Sequence, residues 1–472
     1  MSAAVGRREL AAGALAMAVV AGCVVRAASA QPPDDGYIVW RFVDNLVHGG
    51  GWAFTAGEPV SGSTSPLQVL LLALGCLVTR CEPPTANAAL SFVALACAGV
   101  AFAAALRAQA VGRWLAWGTG LAVALLPLHR ITFGLEGHLQ VACIGGFWWA
   151  WQRERPLLAG CVAGLAVLAR PDAALAVAAL AAPRVLTALR RGGAPLPWRA
   201  LLVGAGLVVG PWLLWSWWQF GELLPNTLAA KQAQGASGAW QAERFLRDLW
   251  HSLARCDANG WCGGRYQPFA VLAILGALGA LGRGVGAPLF AAALAHALAY
   301  RALGVPFFHW YALPLHLAVA LAPVTLATAR WPRRARPIAT LAAGALLAAL
   351  LGDAMHLALP ATTPSGYRQV GDWLAANTSP TARIGCYEIG ELGWTVRPRP
   401  IVDCAGLVTP AAIPAIRRRD FAWLLADPPE FLVLHEPPWP LLETAIVADP
   451  RFAGFRRVGP HTKDGVVVFA RP

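Results

Sequence analysis

The sequence predicts a polytopic α-helical membrane protein with a small α/β domain at its C-terminus. Of its 472 residues, 57% are hydrophobic and only 13% are charged, and the mean hydropathy is +0.52. A soluble chain of this length would carry about twice that charged fraction. Apolar runs near the roughly 20 residues needed to cross a bilayer recur along the chain, so we expect about eleven transmembrane helices within residues 1–359. Residues 360–472 form the predicted α/β domain.

The net charge of +13 does not indicate a nucleic-acid-binding protein, because no basic stripe interleaved with aromatic residues is present. Arginines gather instead between apolar segments, which is the pattern of cytoplasmic loops in membrane proteins. The loops predicted to be cytoplasmic carry Arg107/Arg113, Arg153/Arg155, Arg184/Arg190/Arg191/Arg199, Arg283 and Arg330/Arg333/Arg334/Arg336.

The N-terminal segment admits three interpretations. Arg7 and Arg8 precede an apolar stretch that favours an uncleaved signal-anchor helix. The segment 28–30 (Ala-Ser-Ala) also resembles a secretory cleavage site, and the segment ending at Cys23 resembles a lipoprotein signal.

Twelve apolar segments are candidates for membrane crossings: 10–28, 67–79, 86–106, 114–129, 139–152, 156–169, 173–189, 200–219, 269–282, 287–304, 310–329 and 337–359. The alternation of cytoplasmic and external loops fails once. Two apolar segments lie between the external loop 31–66 and the cytoplasmic Arg107, whereas a change of side requires an odd number of crossings. The segment 67–79 is too short to span comfortably. We therefore expect it to be interfacial or re-entrant and the other eleven to cross.

The predicted external loop 31–66 begins with two adjacent carboxylates, Asp34 and Asp35. A carboxylate beside a membrane is costly unless it is solvated, paired or functional. One interpretation is a solvated turn after a membrane helix. The other is a functional site, and it depends on the rest of the loop.

Several segments together resemble the GT-C membrane glycosyltransferases, in particular the bacterial type with an Asp-Asp-x-Tyr-Ile loop that includes terminal arabinofuranosyltransferases. The matching segments are Asp34-Asp35-Gly36-Tyr37-Ile38, Gly134-Leu135-Glu136-Gly137, Arg170-Pro171-Asp172, Phe220 to Thr227 followed by Lys231, and the tail positions Glu388, Gly390, Gly393 and Asp403. Gly137 departs from the threonine of the family pattern, which puts a role of that loop in acceptor binding in doubt.

The resemblance implies transfer of a sugar from a polyprenyl-phosphate donor to a glycan, lipid or protein of the cell envelope. It implies a multi-pass protein of the cytoplasmic (inner) membrane whose active site and C-terminal domain face the periplasm. A loop aspartate serves such enzymes as the base, and the sequence leaves Asp34 and Asp35 as equal candidates. The candidates for binding the donor phosphate or another part of the substrate are Lys231, Asn226, Arg170, Arg265, His309, Tyr37 and Glu136.

Four of these side chains also have a structural interpretation. Lys231, one of only two lysines, suits a phosphate but could be a surface residue of the predicted external loop 220–268. Arg170 could pair with Asp172 in a turn, His309 could be an interfacial residue, and Glu136 could cap a helix.

No phosphate-binding loop and no metal-binding histidine pattern is present, so the sequence predicts no metal site. It indicates no definite cofactor, and a requirement for a divalent cation stays open. Two other functions remain as alternatives. A flippase for lipid-linked sugars would show internal symmetry and charges at mid-membrane depth. A non-catalytic scaffold would leave the aspartate loop unexplained.

In the C-terminal domain, residues 367–377 have helical periodicity, and 417–426 is a second predicted helix. The segments 383–387, 400–403, 431–435 and 466–469 are predicted strands. Cys256 with Cys262, and Cys386 with Cys404, lie in predicted external segments, where oxidising conditions would permit disulfides.

Overall fold

The computed structural model describes residues 6–30, 32–191, 198–253, 284–328, 335–355 and 364–471, together with residues 268, 271 and 274. The part before residue 356 is helical, and the part from residue 364 combines helices with a sheet. The helices of the first part are α1 (Arg7–Ala28), α2 (Asp34–Val47), α3 (Pro66–Thr79), α4 (Pro83–Ala108), α5 (Arg113–Ala124), α6 (Leu128–Ile131), α7 (Gly137–Gln152), α8 (Pro156–Ala169), α9 (Ala173–Arg191), α10 (Trp198–Phe220), α11 (Asn226–Ser237), α12 (Phe245–His251), α13 (Ala287–Ala302), α14 (Leu313–Ala320), α15 (Ala322–Thr328) and α16 (Ala335–Met355).

Proline begins three of these helices, at Pro66, Pro83 and Pro156. The N–H that proline lacks has no partner in the first turn of a helix, so the residue is well placed there. Four described stretches are long and apolar enough to cross a membrane: Arg7–Ala28, Pro83–Ala108, Trp198–Phe220 and His309–Thr328. Shorter apolar helices cover Pro66–Thr79, Pro156–Ala169, Ala173–Ala188 and Pro337–Gly352. The count of eleven crossings stays a prediction, because the segment 269–282 lies almost wholly outside the described residues.

Helix α3 lies across the start of α4. Gln68, in the first turn of α3, donates a hydrogen bond of 3.2 Å to Asn87, one turn into α4. Further along α3, Gly75 packs against Ala86, and only residues 80–82 separate the two helices. Both ends of α3 therefore lie near the same end of α4, and the interfacial or re-entrant placement of 67–79 stays a prediction. The outward side of α3 exposes Leu70, Leu71, Leu74 and Leu77.

The C-terminal part contains a five-stranded sheet with the strand order β2–β1–β3–β5–β4. The strands are β1 (Ile384–Cys386), β2 (Ile401–Asp403), β3 (Phe431–His435), β4 (Arg456–Val458) and β5 (Val466–Ala470). Strand β1 runs parallel to β2 and β3, and β5 runs antiparallel to β3 and β4. The four predicted strands are confirmed, and β4 is an addition whose three residues have a largely exposed pattern.

The helices of this part are α17 (Gly366–Asn377), α18 (Gly390–Thr395), α19 (Ala412–Arg417) and α20 (Glu443–Ala448). Helix α17 confirms the prediction for 367–377, and the Ser365 hydroxyl caps it by accepting from the Arg368 N–H at 3.0 Å. The predicted helix over 417–426 is wrong. Helix α19 ends at Arg417, and Arg419 adopts a φ of +63°, which a continuous right-handed helix does not allow.

The disulfide that the sequence would permit between Cys386 and Cys404 is not formed, and both are free thiols. Cys386 is in register with Asp403 on the neighbouring strand, so Cys404, one residue further on, points to the other face of the sheet. Cys386 belongs to the core shared with the helical part, and Cys404 to the core on the opposite face. Cys256 and Cys262 lie outside the described residues.

Arg41 ties α2 to the C-terminal part. Its side chain is 1% exposed and donates hydrogen bonds to the carbonyl oxygens of Phe54 at 2.7 Å and Arg399 at 2.6 Å, and also to that of Gly393. The guanidinium also lies 4.5 Å from the centre of the Phe54 ring. The cation is thus held by main-chain carbonyls from both parts of the chain.

We expect Arg41→Met to lower the free energy of unfolding by about 3 kcal/mol, because three buried carbonyl groups lose a charged donor at once. The change is measured as a lower melting temperature in detergent. Arg456→Met is the matched control, because Arg456 is exposed on β4 and its replacement leaves the melting temperature unchanged. An equal effect of both changes would contradict the role of Arg41.

Candidate active site

The first turn of α2 carries the two adjacent aspartates and is held by a close backbone crossing. A Cβ on Gly36 would lie 2.8 Å from the Phe133 carbonyl oxygen and 3.1 Å from Gly134 Cα. Gly134 itself has a φ of +93°, which favours glycine. The loop before α7 therefore approaches the first turn of α2 only because both positions lack side chains.

Asp34 points toward the C-terminal part. Its carboxylate accepts hydrogen bonds from the N–H groups of Gly390 at 2.9 Å and Glu391 at 2.7 Å, at the start of α18. A Cβ on Gly390 would lie 1.9 Å from the Asp34 carbonyl oxygen, so only glycine permits this contact. Burial and the charge of Asp35 raise the pKa of Asp34 to about 7, against the lowering effect of the two N–H groups. Both of its carboxylate oxygens are thus engaged in joining the two parts.

Asp35 points into a cavity of about 170 Å³ between the loops of the helical part and the C-terminal part. Its carboxylate forms no hydrogen bond with any residue that the structure describes. Ionisable and hydroxyl-bearing residues around the cavity are Asp35, Ser63, Thr64, Glu136, Arg170, Thr227, Lys231, Tyr300 and Tyr311. The apolar wall includes Ile38, Val39, Phe42, Leu135, Leu224, Leu228 and Leu407.

Helix α11 brings Lys231 to the same cavity. The helix follows Pro225 and is closed by Gly238, whose φ of +77° suits a glycine at a helix end. Lys231 is 8% exposed, and its Nζ lies 3.5 Å from the centre of the Phe308 ring. Within the described part of the chain, the ammonium makes no hydrogen bond or ion pair.

Burial and nearby charges set the protonation of these two groups. Burial raises the pKa of Asp35; Lys231 opposes that shift and Glu136 adds to it. Burial lowers the pKa of Lys231 to about 8, although Asp35, Asp403 and Glu388 favour the ammonium form. Burial thus makes the Asp35 carboxylate more basic and the Lys231 ammonium more acidic, while the opposite charges of the two groups favour their ionised forms.

Arg170 lies at the cavity wall within an ionic network. Its Nη1 donates to Glu136 at 2.5 Å, and its Nη2 donates to Asp172 at 2.8 Å. The predicted pairing with Asp172 is confirmed. Asp172 also accepts from the Tyr300 hydroxyl at 2.8 Å and lies 3.1 Å from His296 Nε2. Two carboxylates therefore already balance the Arg170 charge, which leaves Lys231 as the less neutralised cation.

The other predicted site residues lie beside the cavity or away from it. Asn226 donates to the carbonyl oxygens of Gly406 at 3.1 Å and Leu407 at 3.2 Å, so it fixes α11 to the C-terminal part. Tyr37 is buried against Trp40, with ring centres 4.8 Å apart. His309 is exposed. Arg265 lies outside the described residues.

Two carboxyl groups of the C-terminal part face the same region and were not among the predicted site residues. Asp403 ends β2 and is fully buried, and Glu388 follows β1 by two residues. Burial, Asp34 and Asp35 raise the pKa of Glu388 well above its usual range. Ligand sites commonly form at the carboxyl ends of parallel strands, so the predicted strands contained a signal for both.

Asp403 also shapes the loop that follows β2. Its carboxylate accepts from the N–H groups of Ala405 at 2.7 Å and Val408 at 2.9 Å. The Ala405 carbonyl oxygen in turn accepts from Gln234 of α11 at 2.8 Å. The C-terminal part thereby holds the helix that carries Lys231.

The arrangement can deprotonate a hydroxyl group at Asp35 and stabilise a phosphate at Lys231, within one partly apolar cavity. Among the described residues, no group of three or more histidine, cysteine or acidic side chains is placed to hold a metal ion.

Two solved structures share this fold. The crystal structure of ArnT from Cupriavidus metallidurans, solved bound to undecaprenyl phosphate, matches 97% of this chain and 97% of its own, with a TM-score of 0.57 and 15% identity. The cryo-EM structure of arabinofuranosyltransferase AftD from Mycobacteria matches 99% of this chain and 40% of its own, with a TM-score of 0.50 and 16% identity. The chain is accordingly a polytopic membrane protein.

In sequence, the chain resembles the terminal β-(1→2)-arabinofuranosyltransferases. The protein of that name from Mycobacterium tuberculosis is 32% identical over 233 residues, which are 43% of this chain and 35% of that protein. The one from Corynebacterium glutamicum is 31% identical over 336 residues, which are 62% of this chain and 47% of that protein. This chain therefore matches about a third to a half of the length of these relatives. Residues 359–469 also match a family described as a domain of unknown function (DUF8728).

We expect Asp172→Asn to destabilise the protein by about 3 to 5 kcal/mol, because it leaves Arg170 with a single buried carboxylate. The change is measured as a lower melting temperature in detergent. Asp372→Asn, at an exposed position of α17, is the matched control. A melting temperature of Asp172→Asn equal to that of the control would mean that Glu136 alone balances Arg170.

Proposed function

We propose that this protein is a membrane glycosyltransferase that moves a sugar from a polyprenyl-phosphate donor to a hydroxyl group of a cell-envelope glycan, lipid or protein. The observation that carries the proposal is that Asp35 and Lys231 face one cavity, each without a hydrogen bond to another described residue. A base and a cation that only served the fold would be hydrogen-bonded to other protein groups.

In the proposed reaction, the Asp35 carboxylate takes the proton of the acceptor hydroxyl. The acceptor oxygen forms a bond to the anomeric carbon of the sugar, and the bond from that carbon to the phosphate oxygen breaks. Polyprenyl phosphate leaves with the electron pair, and the Lys231 ammonium stabilises its charge. The apolar wall suits the first isoprene units of the donor.

The supporting residues have distinct roles in this proposal. Asp34 joins α2 to α18 and so orients the adjacent Asp35. Glu136 lies at the cavity wall. Arg170 holds its carboxylate there, where it can contact the sugar. The names of the relatives make an arabinofuranosyl donor the first to test, with hexosyl donors as the comparison.

We further propose that the cavity and the C-terminal part face the periplasm, with the protein in the cytoplasmic membrane. The arginine-rich loops between apolar segments support this orientation, because such loops remain on the cytoplasmic side. The same proposal includes the eleven crossings and the division of the chain into residues 1–359 and 360–472. It also includes the site roles of Tyr37, His309 and Arg265.

We expect Asp35→Asn to reduce the rate of sugar transfer by about 100-fold or more, because the base is lost while the shape of the side chain is kept. The assay is the release of polyprenyl phosphate in detergent, from a panel of polyprenyl-phosphate pentoses and hexoses. Asp34→Asn is the matched variant, since an amide oxygen still accepts one N–H bond; we expect a loss of less than about tenfold.

Full activity of Asp35→Asn with a donor that the wild type uses would exclude Asp35 as the base. The opposite ranking of the two variants would assign the base to Asp34. If the folded wild type turns over none of the panel, the glycosyltransferase proposal is wrong for these donors.

The pH profile of the reaction should be bell-shaped. Asp35 must be deprotonated, and burial raises its pKa, so the activity rises with pH at values above the ordinary aspartate range. Lys231 must be protonated, and its pKa of about 8 makes the activity fall at higher pH. Initial rates between pH 4 and about 10 test this profile. Lys231→Arg should remove the alkaline decrease, because a guanidinium stays charged throughout; an unchanged decrease would assign it to another group.

A further inference from the structure

The segment from Phe307 to Tyr311 is rich in aromatic residues and lies at the cavity. Such a cluster beside a membrane segment is typical of an interfacial belt. In the structure, the Phe308 and Trp310 rings are stacked instead, with centres 4.8 Å apart and planes 9° apart. Trp310 lines the cavity.

Both rings lie beside the Lys231 ammonium. Its Nζ is 3.5 Å from the centre of the Phe308 ring and 5.8 Å from that of Trp310. A cation over the face of an aromatic ring is attracted by the negative charge of that face. The attraction partly replaces the hydration that Lys231 loses on burial, and it does not neutralise the charge as a carboxylate would.

The surroundings of Phe308 fix this geometry from the other side. Tyr311 meets the Phe308 ring edge to face at 6.1 Å, and the Tyr300 ring is 4.4 Å from that of Tyr311. Tyr300 is in turn hydrogen-bonded to Asp172. The ring that faces Lys231 is therefore backed by packed side chains.

We propose that Phe308 is a positioning residue for the donor phosphate: its ring holds the Lys231 ammonium, charged and without an ion-pair partner, where a phosphate group can bind it. This rests on the proposed function. Lys231 touches the phosphate, and Phe308 acts through Lys231. The charged groups that act on Lys231 from the other elements are Asp35 of α2 and Glu388 and Asp403 of the C-terminal part. A ring adds attraction for the ammonium without adding a further negative charge that would repel a phosphate.

The test compares Phe308→Leu, Phe308→Met and Phe308→Tyr with the wild type in detergent. Binding of undecaprenyl phosphate and of undecaprenol is measured across pH 6 to about 10, beside the initial rates of transfer. The leucine and methionine variants are both ring-free and differ in shape, so either can stand in if the other fails to fold. Phe307→Leu is the matched control, because the Phe307 ring contacts Phe245 and His309.

We expect the ring-free variants to bind undecaprenyl phosphate about fivefold more weakly and to lose binding at a pH about 1 unit lower than the wild type. Loss of the ring removes an attraction that favours the ammonium, so Lys231 deprotonates at lower pH. Phe308→Tyr and Phe307→Leu should retain the wild-type pH dependence, and binding of undecaprenol should be the same in all variants.

Unchanged affinity and pH dependence in the ring-free variants, with a wild type that binds the phosphate, would overturn the role of Phe308 and leave the proposed function standing. Equal weakening of undecaprenol binding would show a loss of packing and also overturn it. A wild type that prefers undecaprenol, or binds neither lipid, would remove the basis of both proposals.

Discussion

The hydrogen bonds between Asp34 and the start of α18 join the helical part to the C-terminal part at the candidate active site. The carboxylate meets two main-chain N–H groups, and the contact is close enough that position 390 admits only glycine. Arg41 reinforces the same joint from about two turns further along α2. Because Asp35 is the next residue, the orientation of the candidate base depends on how well the two parts are docked.

The second constraint is the burial of charge around the cavity. Arg170 is balanced by Glu136 and Asp172, whereas Lys231 is held by an aromatic ring. These are different solutions to the same desolvation cost. The first neutralises the cation within the wall, and the second leaves a positive charge available to an anion. Arg170 and Lys231 therefore differ less by residue type than by whether carboxylates already neutralise their charge.

Much of the fold follows from patterns visible in the sequence, including the apolar helices and four of the five strands. The sequence could not choose between Asp34 and Asp35, because adjacent residues at a helix start point in different directions and the choice depends on α18, over 350 residues away. It also could not show that Asn226 serves docking, or that Arg170 has two carboxylate partners. Nor could it show that Cys386 and Cys404 stay apart, because the register of β1 with β2, which places them on opposite faces, is set only in the folded sheet.

The position of α3 across the start of α4 has a consequence for how the proposed lipid-linked donor would arrive. Thr64 at the cavity lies just before this helix, and the leucines along its outward side are exposed. Under the proposed function, a long-chain donor dissolved in the leaflet would reach the cavity by sideways diffusion without passing through water. Its encounter rate then follows its surface density in the membrane and not its bulk concentration. In detergent, the mole fraction of lipid in each micelle therefore becomes the variable that governs saturation.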